Sequence, residues 1–147
     1  MIAKVATALQ LPLLCDYLRE KTDVTFDPTS VQGFAIMSDD DRFVGGVLVS
    51  NVRLSEGKAI DCEISCAAEA SIAFRPEVCK AIFRYVFIQL GCVRCTSITK
   101  KSNTRTRQFL EALNFQLEGN VRRGYDGERD ALIYGLLADD CQFLEGV

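Results

Sequence analysis

Histidine does not occur anywhere in this chain of 147 residues. Its absence removes every imidazole-based metal site and every Ser-His or Cys-His catalytic pair, so any proton acceptor must be a carboxylate, directly or through water. Long apolar runs are missing too. No window approaches the roughly 18 consecutive apolar residues of a membrane-crossing helix. Repeats, low-complexity tracts and linkers are absent, and the length suits one domain, 1–147, able to bury roughly two-thirds of its unfolded surface. The first twenty residues carry an apolar stretch interrupted by Gln10 and Pro12 that runs into charge without a cleavage signal. We read it as a domain helix and expect a cytoplasmic protein without membrane association.

Seven cysteines are present, an odd number scattered over expected strands and helices, unlike a secreted disulfide framework. Cys92 and Cys95 form a lone CxxC with no second pair, favouring two strand-side thiols over a redox or zinc site. Net charge is only −3 but uneven. Residues 75–107 hold eight basic side chains against Glu77 alone, a local +7 that leaves −10 elsewhere. Such a protein is poorly suited to wrapping nucleic acid and better suited to a small polyanion, unless the segment is just the solvated face of two helices.

Leu11, Leu14 and Leu18 form a helical stripe within residues 11–21. Residues 33–37 and 42–52, rich in β-branched and aromatic side chains, flank the turn formers Ser38 to Asp41 and predict a hairpin. Ser55-Glu56-Gly57 turns into a strand over Lys58–Ala68. Pro76 and Glu77 open a helix whose apolar face runs through Val78, Ile82, Tyr85, Val86 and Leu90 and stops at Gly91. A strand over 92–99 follows, then a helix capped by Ser102 or Asn103, with Asn114 as a left-handed terminator. Strands over 115–122 and Ala131–Leu137 flank the turn Gly124 to Gly127. Helix, three meandering strands, helix, strand, helix and two strands make a mixed α/β (α+β) layer protein with helices on both faces of the sheet.

From Arg75 onward the sequence resembles the GCN5-related N-acetyltransferase (GNAT) family, closest to its ribosomal-protein and peptide N-terminal acetyltransferase branch. The resemblance rests on Gln89-Leu90-Gly91, the strand through Thr99, Asn103-x-x-Thr106, Leu113-Asn114-Phe115, Glu118-Gly119 and Arg122. The branch runs Leu-Gly, strand, Asn-x-x-Ser, Leu-Gly-Phe, Glu-Gly and Arg at the same spacing. Element order extends the likeness over about residues 33–137, with no counterpart of the family's first strand. It implies a central mixed, mostly antiparallel sheet and an acetyl-CoA or other acyl-CoA donor whose pyrophosphate lies on the helix starting near Arg75. The loop Ser71, Ile72, Ala73, Phe74 and Arg75 would carry it, with Ser71 and Ala73 standing where the family has a Gly-x-Gly pair. The strand end Cys66, Ala67, Ala68 would face the pantetheine arm, and Asn103 would bond cofactor or ordered water besides capping its helix.

In Lys58–Ala68, Ile60, Cys62, Ile64 and Cys66 alternate with Asp61, Glu63 and Ser65. A charged Glu63 in a central strand needs a partner or water; it is the leading base, with Asp61 in reserve and a structural ion pair or an exposed strand face as the rival role. Where the family places a tyrosine acid for the leaving sulfur, this chain has Leu110; by the resemblance Thr106, in the place of the branch's Ser, would offer sulfur a hydrogen bond, the rival role being a helix-surface Thr. Tyr134 reads as core with a polar tip. The turn 122–129 lies where the family has one wall of the acceptor cleft and equally fits a solvated hairpin tip. The resulting expectation is N-acylation of a primary amine (a protein or peptide N-terminus, a Lys, or a small amine) by direct attack in a ternary complex, without metal. The alternative is a non-catalytic acyl-CoA-binding or protein-interaction module of the same fold, in a chain with a phage-like look. An edge strand or the apolar N-terminal helix offers a surface for a homodimer.

Overall fold

The computed structural model describes residues 1–69 and 74–145. Seven strands, β1 (Ile2–Val5), β2 (Gln32–Met37), β3 (Phe43–Ser55), β4 (Lys58–Ala68), β5 (Arg94–Lys100), β6 (Gln116–Val121) and β7 (Ala131–Leu137), form one sheet in the order β1-β2-β3-β4-β5-β7-β6. Every neighbouring pair is antiparallel except β4 with β5, which is parallel. Three α-helices cover it: α1 (Leu11–Thr22), α2 (Pro76–Arg84) and α3 (Thr104–Ala112). No helix among the described residues is long and apolar enough to cross a membrane.

The expected elements are present, with two differences. Residues 2–5, read from sequence as part of a helix, form the edge strand β1, paired Ile2↔Met37 to Val5↔Phe34. This supplies the first strand that the resemblance lacked. Four mainly exposed residues carry no periodicity that separates strand from helix. The second difference is that α2 ends at Arg84 and continues as a π turn over Tyr85–Gln89, in which the amide of Leu90 reaches the carbonyl of Tyr85 at 2.8 Å. Gly91 then stops the segment at φ 80°, and Asn114 ends α3 at φ 72°, the left-handed position assigned to it.

Alternation along the strands divides the sheet into two faces. Ile36, Val47, Cys62, Ile64, Cys95, Tyr134 and Leu136 pack beneath α2 and α3 with Val78, Ile82, Phe83 and Leu110. Tyr134 is fully buried; its hydroxyl accepts from Arg107 Nε at 3.2 Å and donates to Glu111 at 3.3 Å, the polar tip expected of it. On the other face α1 sets Leu14 and Leu18 on Leu48. Gly33 and Gly46 make this close seating possible, because a Cβ on either would run into the Leu14 side chain.

The C-terminal end of α1 is tied across the sheet. The Tyr125 hydroxyl, from the β6–β7 turn, donates to the Thr22 carbonyl, and Lys100 at the end of β5 lies 3.7 Å from Asp23 and 5.2 Å from the centroid of the Tyr125 ring. Asp126 accepts from the amides of Glu128 and Arg129 at 3.0 and 2.8 Å, and Asp130 from the Arg123 amide at 2.9 Å and from Asn120 at 3.2 Å. These donors, the Arg129 amide first for Asp126 and the Arg123 amide first for Asp130, hold both carboxyls below their usual range.

Two measurements check this account. Leu18→Ala removes a side chain with no exposed surface and should cost about 3 kcal/mol in urea unfolding; a loss well under 1 kcal/mol would mean α1 is not seated as described. The lowered carboxyls of Asp126 and Asp130 favour the folded turn above their ordinary values, and this support disappears as pH falls through the lowered ones. Below roughly pH 4 the amide protection factors of Arg123, Glu128 and Arg129 should therefore fall before those of β7. Protection independent of pH would contradict the role given to the two aspartates.

Candidate functional site

The centre of the sheet contains a break. β4 is paired to β3 as far as Gly45↔Ala68, and β5 to β7 as far as Lys100↔Ala131, yet β4 and β5 share only Glu63↔Thr96. Past this point the Ser97 hydroxyl donates to the Ile64 carbonyl at 3.1 Å, satisfying with a side chain an acceptor that a continuing ladder would have used. The two strands then part, and Cys66, Ala67 and Ala68 lie on the parted stretch of β4.

On the α2–α3 side the split opens on apolar side chains. A cavity of about 40 Å³ is lined by residues including Ile64, Cys66, Phe74, Cys79, Ser97 and Phe109. Phe74, just before α2, sets its ring against Phe109 of α3 with centroids 5.2 Å apart, and its carbonyl accepts from the Cys79 thiol at 3.3 Å. Desolvation pushes the Cys66 thiol up to about 12 and the Cys79 thiol up to about 11, so both stay protonated and poorly nucleophilic near neutral pH. Cys92 and Cys95 are buried, the first ahead of β5 and the second within it, and burial raises both thiols.

Arg75 is exposed at the start of α2, in extended conformation (φ −63°, ψ 161°), and its carbonyl accepts from the amides of Val78 and Cys79. Among the described residues no side chain caps this end of α2 and none accepts from the Glu77 amide in its first turn. Ser71, Ile72 and Ala73 lie outside the described residues. At the start of α3, Asn103 accepts from the Thr106 amide at 3.2 Å, which makes it the N-cap; Thr106 is half-buried one turn before Phe109.

The α1 side is polar. Glu63 sits between Ser50 and Thr96 in the register, half-buried, and among the described residues no hydrogen bond or ion pair engages its carboxylate. Asp61, held in reserve from the sequence, is engaged: Arg94 Nε lies 3.2 Å away and the Thr96 hydroxyl donates at 3.1 Å. Glu63 and Thr106 are thus not in contact. One faces the α1 side and the other belongs to a helix on the opposite face, with the split between them. Sequence reasoning did not single out Arg94, Ser97 or Phe109; the alternation of Arg94 and Thr96 with Cys95 and Ser97 was the available signal for two of them.

The sequence matches no family model and no curated protein. Among solved structures, the spermidine/spermine N-acetyltransferase SpeG from Vibrio cholerae superposes with a TM-score of 0.74 at 11% identity, covering 93% of each chain. A GNAT-family acetyltransferase from Bacillus anthracis gives 0.64 at 14% identity, covering 92% of this chain and 93% of that one. A probable acetyltransferase gives 0.64 at 20% identity over 85% of this chain and 69% of that one. The split sheet with α2 and α3 on one face and α1 on the other is the fold of the GNAT acetyltransferases.

Proposed function

We propose that this protein is an acyl-CoA-dependent N-acyltransferase, with acetyl-CoA as donor and a primary amine as acceptor. The parting of β4 from β5 carries this reading. A sheet gives up ladder bonds in its centre at considerable cost, and main-chain groups left open there are suited to an extended amide-bearing ligand such as pantetheine. The first turn of α2, which no described side chain caps, with Arg75 and Lys80 exposed beside it, suits the pyrophosphate at the ligand's other end. The acceptor classes are a protein or peptide N-terminus, a Lys, or a small amine of the kind that spermidine acetyltransferases use.

In the proposed reaction the amine approaches from the α1 side and gives a proton to Glu63, directly or through water. Its nitrogen attacks the thioester carbonyl, the C–N bond forms and the C–S bond breaks. The leaving thiolate takes a proton from solvent while the Thr106 hydroxyl donates it a hydrogen bond. Neither a metal nor a covalent enzyme intermediate takes part.

One observation favours the second reading, a non-catalytic acyl-CoA-binding or protein-interaction module. The Phe74 ring lies on Phe109 across the α2–α3 side of the split, so a pantetheine arm there requires this ring to turn away.

Two experiments decide. Thiol release from acetyl-CoA in the presence of peptide and polyamine acceptors should be detected, and Glu63→Gln should lower kcat by about 100-fold while acetyl-CoA binding by calorimetry is retained. Unchanged turnover in the variant removes Glu63 from the mechanism. Phe74→Ala should tighten acetyl-CoA binding by removing the ring from its path. If neither wild type nor Phe74→Ala gives binding heat, the acyl-CoA reading is lost and the interaction module stands.

A further inference from the structure

On the α1 side of the split a polar bridge runs across four strands. Glu118 belongs to the edge strand β6, yet its carboxylate lies over β7 and receives Arg94 Nη1 at 3.1 Å and Nη2 at 2.6 Å. It passes over β7 at Gly135, the one place where no side chain stands in its way: a Cβ there would collide with the Glu118 carboxylate. Arg94 of β5 continues the bridge, with Nε 3.2 Å from Asp61 of β4 and Nη2 3.2 Å from the Thr96 hydroxyl, which itself donates to Asp61. Asp61, Arg94 and Thr96 are shielded from solvent in part or in full while Glu118 is exposed, and a guanidinium shared between two carboxylates is fixed in direction as well as in charge.

The position of this bridge gives it a purpose. β4 and β5 hold each other through a single register pair, Glu63↔Thr96, and the bridge joins them on the α1 face immediately before that pair. The Ser97–Ile64 hydrogen bond joins them on the opposite face immediately after it. Apart from these side-chain ties, the N-terminal half of the sheet (β1 to β4) and the C-terminal half (β5, β7, β6) meet at the pair Glu63↔Thr96 and through the Val93 amide, which donates to the Ile60 carbonyl at 3.1 Å.

We propose that Arg94, held between Asp61 and Glu118 above Gly135, is a positioning residue that sets where β4 and β5 part. Resting on the reading of the split as a thioester slot, this assigns the bridge the task of fixing how far a thioester lies from the Glu63 carboxylate. Arg94 and Glu118 touch neither substrate. Their loss lets the vertex drift, while the pyrophosphate end, held at the first turn of α2, is left as it was.

The test uses the full chain and five variants: Gly135→Ala, Glu118→Ala, the double variant of these two, Arg94→Gln and Arg94→Lys. In Gly135→Ala the added methyl meets the end of a flexible side chain, so the fold is retained while Glu118 is displaced from Arg94. Each single variant should speed amide exchange at residues 62–64 and 95–97 by about tenfold, the scale of one charged hydrogen bond. The double variant should be no worse than Glu118→Ala alone, since both changes remove the same bond. With acetyl-CoA, kcat should fall by a similar factor while its KM stays within about twofold. Arg94→Lys should recover part of what Arg94→Gln loses.

Unmoved exchange, additive effects in the double variant, or a parallel decline of kcat and affinity for acetyl-CoA would each overturn the bridge as a positioning device. Failure of the underlying reading is distinct: wild-type protein would then bind no acetyl-CoA, whatever the exchange in the variants.

Discussion

The arrangement of this protein depends on one shortage of hydrogen bonds. Two parallel strands in the middle of a seven-stranded sheet meet at one pair of residues and then separate. A gap of this kind is unfavourable, because main-chain donors and acceptors in a sheet are obligatory partners. The protein offsets it with side chains: the Ser97 hydroxyl takes the Ile64 carbonyl on one face, and Arg94 binds Asp61 and Thr96 on the other. Antiparallel ladders on both flanks, β3 against β4 and β5 against β7, keep each half rigid as the centre opens. Such an opening is where an extended ligand can complete a sheet's bonding.

The two mouths of the split differ in chemistry because strand alternation makes them so. Odd-numbered residues of β4, Asp61, Glu63 and Ser65, face α1, whereas Cys62, Ile64 and Cys66 face α2 and α3. A donor entering among thiols and phenyl rings would be desolvated; an amine arriving from the other side would meet carboxylates. Desolvated thiols held in their protonated form are inert bystanders in such a groove. The Phe74–Phe109 contact keeps the apolar mouth filled by the protein's own side chains.

Much of this was legible in the residues. The alternation of Lys58–Ala68 named the central strand and separated the faces of Glu63 and Cys66. Pro76, Gly91, Asn103 and Asn114 marked helix ends, since each has a backbone or capping preference that survives any context. The strand Ile2–Val5 was hidden, because a short, mainly exposed strand owes its existence to the partner beside it. The π turn at Tyr85–Gln89 was hidden for a similar reason: its residues keep an apolar pattern that serves an α-helix equally well. Glu118 was visible only as part of an acid-glycine motif; that it reaches Arg94 across Gly135 joins residues far apart in the chain.

The sequence by itself determined the succession of α-helices and strands after β1, the face to which each residue of β4 turns, and the exclusion of imidazole chemistry, all of them properties of composition and local periodicity. Tertiary structure alone decided where β4 leaves β5, that Asp61 is engaged while Glu63 has no partner among the described residues, and that the rings of Phe74 and Phe109 meet. The physical reason is range. Dihedral preference and alternation act between neighbours in the chain, whereas parting strands and shared guanidinium groups depend on distances between residues that only the folded chain brings together.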